Sequence, residues 1–413
     1  MSDSVLELGA GNVCRSCRAE LQALVLDLGE QPVADVLLAP QQLTERERVL
    51  PLRVFVCGRC GLAQLSAADV DAGDLTGVHG HGSAFSTTVQ GHVQDWADML
   101  MAHLEPHARV LDVASGDGDL LQRFAERGMD VLGLEPNVDI VASARVPTQR
   151  GFFGRDVARA LVAAGGQFDL ILVNHALGHA VDLDDFVAGL ACALRPGGRV
   201  AIEFHHALSL VRGHFDVACH AHRCYLSLHA LESAAARHGL AIVDAEQIDL
   251  HGGSVRATAA HGADECPVGA GLAQVRATER EWSLETPDGY AELGAMAERV
   301  KAGLLEFLDQ VRAEGASVVG YGAPSRGTTL LNYTCITFED IPFTVDRSPA
   351  KQGRCLPGSR IPVLEPEAIG AARPEYVLIL PWALSDEIQQ QMSHVRDWGG
   401  RFVVAVPELR ILD

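Results

Sequence analysis

The chain has 413 residues, 48% of them hydrophobic, enough for two or three domains each with its own core. Lys and Arg number 33 against 54 Asp and Glu, a formal charge of −21 with no basic block, so a phosphate backbone would be repelled and no nucleic-acid partner is expected. No uncharged apolar run approaches the ~20 residues of a membrane span. The first thirty residues carry Glu7, Arg15, Arg18, Glu20 and Asp27 rather than a basic start and apolar core, so a cytoplasmic protein without a membrane partner is expected.

Ten cysteines are too sparse for a disulfide framework in so long a chain. Four of them form two C-x2-C knuckles, Cys14-Arg-Ser-Cys17 and Cys57-Gly-Arg-Cys60, separated by thirty-nine residues. Two hairpin tips of this kind present four thiolates tetrahedrally to zinc and leave no place for water, so a structural site is expected, against the alternative of four free thiols. Between the knuckles, Leu26-Asp-Leu-Gly and Leu50 to Val56 read as strands, the second delivering Cys57. The zinc module is expected to span 1–75. Residues 71–85, rich in Gly and His, read as a loop in which His79 and His81 suggest a ligand pair or a lid. Thr88 to Leu104 has helical spacing and leads into the next unit.

The centre of the chain is Arg109 to Asn137. Val110-Leu-Asp-Val is a short buried-strand run, Ala114 to Gly118 is too small and flexible to continue it, and Leu120 to Arg127 is helical. About twenty residues beyond the loop, Glu135 ends the next strand, where doubly wound sheets bind the ribose of a nucleotide-like ligand. The loop, with Asp112, Ser115, Gly116, Asp117 and Gly118, lacks the three glycines that let a backbone press on a pyrophosphate. It suits a cationic, phosphate-free adenosyl ligand, S-adenosylmethionine (SAM); an ordinary α/β turn is the alternative.

Phe168 to Val173 reads as a strand, Asp184 to Leu194 as a helix stopped by Pro196-Gly-Gly, and Arg199 to Glu203 as a strand. Leu240 to Leu250 and Ser254 to Ala260, flanking His251-Gly-Gly, read as an antiparallel pair that closes a Rossmann-like domain over 76–262. A helical stretch from about Gly271 to Glu314 follows. A second open parallel α/β sheet then begins at Ala316, giving a third domain over 263–413. In its first loop, small residues and Arg326 precede a helix expected near Thr328, an arrangement that can hold a diphosphate.

Over its whole length the chain resembles the nucleotide-diphosphosugar C-methyltransferases of antibiotic deoxysugar pathways. The matching residues are the two C-x2-C pairs, Asp117-Gly118, Glu135-Pro136, Asn174-x4-His179, Glu203-Phe204, Phe215-Asp216, His220-x-His222 and His251-Gly-Gly-Ser254-Val-Arg256. Tyr321-Gly-Ala-Pro-Ser325-Arg326, Asp346 to Gly353 with Lys351, and Pro381-Trp382 extend the match to the third domain. The resemblance implies methyl transfer from SAM to a carbon of a 4-keto-6-deoxy dTDP-sugar. It implies that Pro136 and Asn174 join the cofactor site, and that His222 is the base, with His220 and His179 beside it. His206, Ser254, Arg256, Tyr321, Ser325 and Trp382 would contact the substrate, and Arg326 with Lys351 its diphosphate. Two departures stand out. Cys219-His220-Ala221-His222 replaces the family's Tyr-His-Glu-His, and a tyrosine expected before Ser86 is replaced by Ala84 or Phe85. They motivate two competing readings, an NADPH-dependent 4-ketoreductase (alone or bifunctional) and a non-catalytic sugar-nucleotide binder. Cys219 reads as a buried free thiol rather than a nucleophile, and a monomer is expected.

Overall fold

A computed structural model describes residues 12–66, 86–262 and 269–412. The expectations for His79, His81, Ala84 and Phe85 lie outside these residues. The first sheet is built from β1 (Ala23–Pro32), β2 (Val49–Val56) and β3 (Ala63–Leu65), all antiparallel. Alternation along β1 and β2 turns Leu26, Leu28, Leu52, Val54 and Val56 to one buried side. Cys57 and Cys60 sit in the β2–β3 turn, and Cys14 and Cys17 lie between the bridged residues Val13 and Glu20.

The central sheet takes β4 (Arg109–Val113), β5 (Asp130–Glu135), β6 (Thr148–Arg150), β7 (Phe168–Asn174) and β8 (Leu194–His205) in parallel. A two-residue strand, β9 (Cys224–Tyr225), leaves this domain and pairs with β3, so the first sheet has four strands. β10 (Leu240–Ile248) and β11 (Ser254–His261) form the expected hairpin, and β11 runs against β8. The resulting order is β10-β11-β8-β7-β4-β5-β6. Leu170 to Val173 are buried without alternation because helices cover both faces. Thr87–Met101 and Asp119–Glu126 pack on one side through Trp96, Leu121 and Phe124. On the other, Arg155–Gly165, Leu183–Ala193 and Leu228–Arg237 supply Leu161, Phe186, Leu190 and Leu231.

Two expectations are corrected here. Pro196-Gly-Gly does not separate a helix from a strand, since β8 begins at Leu194 and runs through it. The helical stretch after 270 is two helices, Ala270–Glu281 and Leu293–Ala313, parted by a turn in which Ser283 is left-handed (φ 52°) and Pro287 starts a new short helix. The first of these packs on β10 and puts Leu272 and Val275 into the central core.

The third sheet has β12 (Val318–Tyr321), β13 (Thr344–Val345), β14 (Val363–Leu364), β15 (Tyr376–Ile379), β16 (Arg401–Val404) and β17 (Arg410–Leu412), in the order β14-β13-β12-β15-β16-β17. Five strands are parallel, but β17 folds back antiparallel on β16, so the sheet is not wholly parallel. The helix after β12 is Ser325–Tyr333, starting before Thr328. Leu26, Leu28 and Leu52 of the first sheet share one core with Val300, Leu304 and Phe307 of Leu293–Ala313 and Leu330 and Leu331 of Ser325–Tyr333. The zinc module is thus welded to the third domain rather than carried as a free head. Among the described residues no helix is long and apolar enough to cross a membrane.

Candidate active site

The crest of the central sheet lies at the carboxyl ends of β4, β5, β7 and β8. After β4 the chain turns through left-handed Ala114, Gly116 and Gly118 (φ 61°, 56° and 84°). A Cβ on Gly118 would stand 2.8 Å from Val146 Cγ2, so glycine is required there by space as well as by φ. Glu135 is buried, and its two oxygens accept from the Gly116 N–H at 3.2 Å and the Asn137 N–H at 2.9 Å. Pro136 adjoins it, its carbonyl accepting from Arg150 Nε at 3.4 Å. Asp112 Oδ1, Ser115 Oγ and Asn174 Oδ1 are buried without a partner. Native structures rarely leave such atoms unmatched, and three around one crest fit a polar ligand such as SAM. Burial, then the Glu135 charge, raise the Asp112 carboxyl to about 8. Asp117 is turned outward instead, its carboxylate paired with Arg145 at 3.0 Å and accepting from the Asp119 N–H.

Beyond β7 and β8 five imidazoles meet. Between ring centroids, His175 lies 4.5 Å from His205 and meets His251 edge-on at 5.1 Å, His205 reaches His251 at 5.3 Å and His222 at 5.2 Å, and His222 lies 4.7 Å from His179. His179 is solvent-accessible yet enclosed by protein at longer range, as expected for the wall of a cleft. Its Nδ1 donates to the Ala221 carbonyl at 2.8 Å, which leaves Nε2 as the acceptor. Burial, then neighbouring His179 and Arg326, hold His222 well below the usual imidazole range, while the Val217 carbonyl opposes them. His205 is lowered in the same way, and His251 to about 3 by burial and then His175 and Arg326. His179, which burial also lowers, His205, His222 and His251 are thus neutral bases set beside one cation. That cation, Arg326, lies over the Trp382 ring at 5.1 Å, with Nη2 donating to the His251 carbonyl at 3.2 Å and Nη1 buried without a partner. Trp382 donates to Asp216 at 2.7 Å and stacks on His214 at 4.4 Å.

Several expected contacts are elsewhere. His220 does not share a face with His222, because residues 219–222 form a turn (His222 N–H to the Cys219 carbonyl, 3.0 Å). Its ring points to the Leu50 carbonyl of β2 at 3.2 Å. His206 faces away from the cluster into a buried pair with Glu279 at 2.7 Å, and the adjacent His205 takes the place expected of it. Ser254 is fully buried, its hydroxyl closing the hairpin on the Leu250 carbonyl at 3.0 Å. Arg256 is held by Glu246 at 2.9 Å and Glu203 at 3.4 Å. Ser325 is bonded to Asp35 of the zinc module, whose carboxylate meets the helix start expected to receive a diphosphate. Lys351 is committed to Asp346 at 3.2 Å and the Ala323 carbonyl at 3.0 Å. Tyr321 donates to Gln391 at 3.2 Å and opens on a separate cavity of about 540 Å3 lined also by Arg347, Glu387 and His394. Of the third domain's expected substrate residues, Arg326 and Trp382 join the histidines.

Glu203 was visible only as part of a motif. It is completely buried at the end of β8, where His92 approaches it to 2.8 Å, His175 to 3.2 Å and Arg256 to 3.4 Å. Burial would raise its carboxyl, but the hydrogen bonds from His175 and His92 prevail and bring it to about 2. Cys219 is buried and pushed up to about 12, which agrees with an inert thiol.

The four knuckle cysteines converge. Cys14 and Cys60 sulfurs are 3.6 Å apart, Cys17 and Cys57 3.5 Å, and all four lie within 4.8 Å of one another. A tetrahedron of Zn–S bonds of ~2.3 Å requires edges of ~3.8 Å, so the set fits zinc with all positions filled by protein. Gln64 Nε2, 3.2 Å from Cys14 Sγ, and the Ser16 N–H, at 3.4 Å, support a thiolate there.

Strand order and crest together define a Rossmann-like, SAM-dependent methyltransferase with a structural zinc site. Family models match in the same arrangement: a zinc binding domain over 14–71, a methyltransferase domain over 85–245 and a C-methyltransferase C-terminal domain over 249–407. The chain is 31% identical over 405 residues to C-methyltransferase NovU of Streptomyces niveus, covering 97% of this chain and 96% of that one, and it belongs to that C-methyltransferase family. It is also 34% identical over 145 residues to a malonyl-[acyl-carrier protein] O-methyltransferase of Enterobacter lignolyticus, across 33% of this chain and 57% of that protein. Among solved structures, a TehB-like SAM-dependent methyltransferase from Corynebacterium glutamicum aligns with 42% of this chain and 97% of its own, at 18% identity and a TM-score of 0.30.

Proposed function

We propose that the enzyme methylates the carbon next to the ketone of a dTDP-4-keto-6-deoxysugar, with His222 as the base. The observation that carries this reading is a pair of neutral imidazoles, His222 and His205, beside a guanidinium with one buried, unpartnered nitrogen, set at strand ends beside the cofactor crest. SAM supplies an electrophilic methyl group when bound. The residues of the chain have three tasks: to hold an anionic substrate, to remove a carbon-bound proton and to stabilise the charge left behind.

Arg326 is suited to the first. Its Nη1 lacks a partner, and the tryptophan beneath it offers a flat apolar floor. His222 is suited to the second, being neutral and thus able to accept a proton. Arg326 is one reason His222 is held low, so an anion that neutralises Arg326 raises the basicity of His222 as the substrate arrives. The backbone carbonyl of Val217 takes the orienting role that a glutamate at position 221 would have had. The cofactor loop does not favour the ketoreductase alternative, because it lacks a pyrophosphate cradle. Incubation with a dTDP-4-keto-6-deoxyhexose and either SAM or NADPH tests the reading. A product one methylene heavier, formed only with SAM and lost in His222→Ala, is expected; a product formed only with NADPH refutes it.

A further inference from the structure

His175 follows Asn174 at the end of β7, with its backbone in the left-handed region (φ 53°), uncommon for a residue with a side chain. That turn sets its ring against His205 and His251, one residue beyond Asn174 of the crest. Two bonds lock it to β8: its N–H donates to the Glu203 carbonyl at 2.7 Å, and Nε2 lies 3.2 Å from Glu203 Oε1. A carboxylate only accepts, so Nε2 carries a proton and the ring orientation is set. The other nitrogen, Nδ1, is buried and has no partner, with His205 and His251 as its ring neighbours. Behind the ring, Glu203 is buried among His92, Arg256 and His175, a fixed negative charge in direct contact with the imidazole.

We infer that His175 is a second catalytic residue of the methyl transfer: with protons on both ring nitrogens, it donates from Nδ1 to the ketone oxygen as that oxygen gains charge. Glu203 is its positioning residue. The inference rests on the reaction proposed above. The C–H bond next to the ketone breaks, its proton goes to His222, and the electron pair moves to the ketone oxygen as an enolate held by Nδ1–H. The pair then returns to form the new C–CH3 bond while the S–CH3 bond of the sulfonium breaks to leave a neutral thioether. The proton on His222 departs to water. An oriented donor at a developing oxyanion is worth ~10² to 10³ in rate.

Deuterium exchange isolates this step from methyl transfer. The full-length protein is incubated in D2O with a dTDP-4-keto-6-deoxyhexose and S-adenosylhomocysteine, which has no methyl to give, and deuterium on the sugar is followed by mass spectrometry. His175→Asn is the main variant, because Asn tolerates the left-handed backbone. It is expected to slow exchange ~10²-fold while S-adenosylhomocysteine affinity stays within about twofold, and with SAM to lower kcat without a matching rise in KM. Glu203→Gln, which keeps an acceptor but removes the charge, is expected to slow exchange ~10-fold. Exchange in His175→Asn within about threefold of the native enzyme overturns the inference, as does a loss of S-adenosylhomocysteine binding that parallels the loss of exchange. Should the native enzyme itself exchange nothing, the proposed reaction falls and takes this inference with it.

Discussion

Replacing Asp112 with Asn is expected to stabilise the ligand-free protein, and to do so more as the pH rises. The side chain is buried at the end of β4 with Oδ1 unpartnered, and burial, then the Glu135 charge, raise its carboxyl from 3.8 to about 8. An acid raised on folding binds an extra proton in the folded state. Below the unfolded value both states are protonated and nothing is lost; above it, the unfolded state gains ~1.36 kcal/mol per pH unit until the pH passes the folded value. At pH 7 that interval sets a ceiling of roughly 4 kcal/mol, and water entering the loop relaxes it to about 2 kcal/mol. Asn has the same shape and does not titrate. Urea unfolding between about pH 4 and pH 8 should therefore find the variant and the native protein alike at the acid end and separated by about 2 kcal/mol at the alkaline end. The same variant should bind SAM more weakly by calorimetry, since a cation loses a carboxylate. A difference in stability that does not change with pH, or a native protein that is the more stable at pH 8, would refute the assignment of a buried, protonated acid.

Chelation of the zinc should lower the melting temperature and reduce methyl transfer at least ~10-fold, since a structural zinc carries much of the folding energy of its own tip. SAM affinity, carried by another sheet, should stay within about twofold. His220→Ala should cost about 1 kcal/mol through the lost bond to Leu50 and leave activity within several-fold, whereas His222→Ala abolishes it; equal losses would restore His220 to the site. In Gly252→Ala, the new Cβ would stand 2.5 Å from the Trp382 ring in a backbone with φ 87°, so about 2 kcal/mol of stability and a larger share of kcat/KM should be lost as Trp382 leaves Arg326. Alkylation of the native protein near neutral pH should label exposed Cys335 and spare Cys219, whose thiol burial holds at about 12; rapid labelling of Cys219 would mean an open site.

Where a signal was local, the sequence carried it. The two knuckles, the strand and loop from Val110 to Gly118, Glu135 at the next strand end and the hairpin around His251-Gly-Gly each follow from spacing and turn chemistry within a few residues. Errors arose where partners are distant. A period of two says that His205 and His206 face opposite ways, but which one meets the cleft depends on Glu279, delivered by a helix after the sheet is complete. His220 and His222 look equivalent only if their segment is extended, and it is a turn. Asp35 and Ser325 are 290 residues apart, so no local pattern shows that a carboxylate already occupies the helix start expected to receive a phosphate. His175 stood inside a quoted motif, yet the role inferred for it depends on a left-handed φ and on Glu203 of the neighbouring strand.

The segment carrying His222, the proposed base, ties all three sheets together. Between Ala218 and Tyr225 it is gripped from every side. Thr329 of the third domain bonds the Ala218 carbonyl at 2.8 Å, His220 bonds β2 of the zinc module, and β9 pairs with β3. Within the central domain, His179 bonds the Ala221 carbonyl at 2.8 Å and Arg223 returns a bond to the His179 carbonyl at 2.8 Å. A base working through a carbon acid gains from being held within about half an ångström of its productive geometry, and a loop alone seldom provides that. Here position 221 is Ala, so no neighbouring carboxylate orients His222, and the constraint falls on the backbone that these contacts fix. The zinc site lies at the far end of the same lever: by fixing the turn that leads into β3, it fixes β9 and with it the position of His222. Metal loss should therefore reach catalysis through geometry, with kcat falling before SAM binding does.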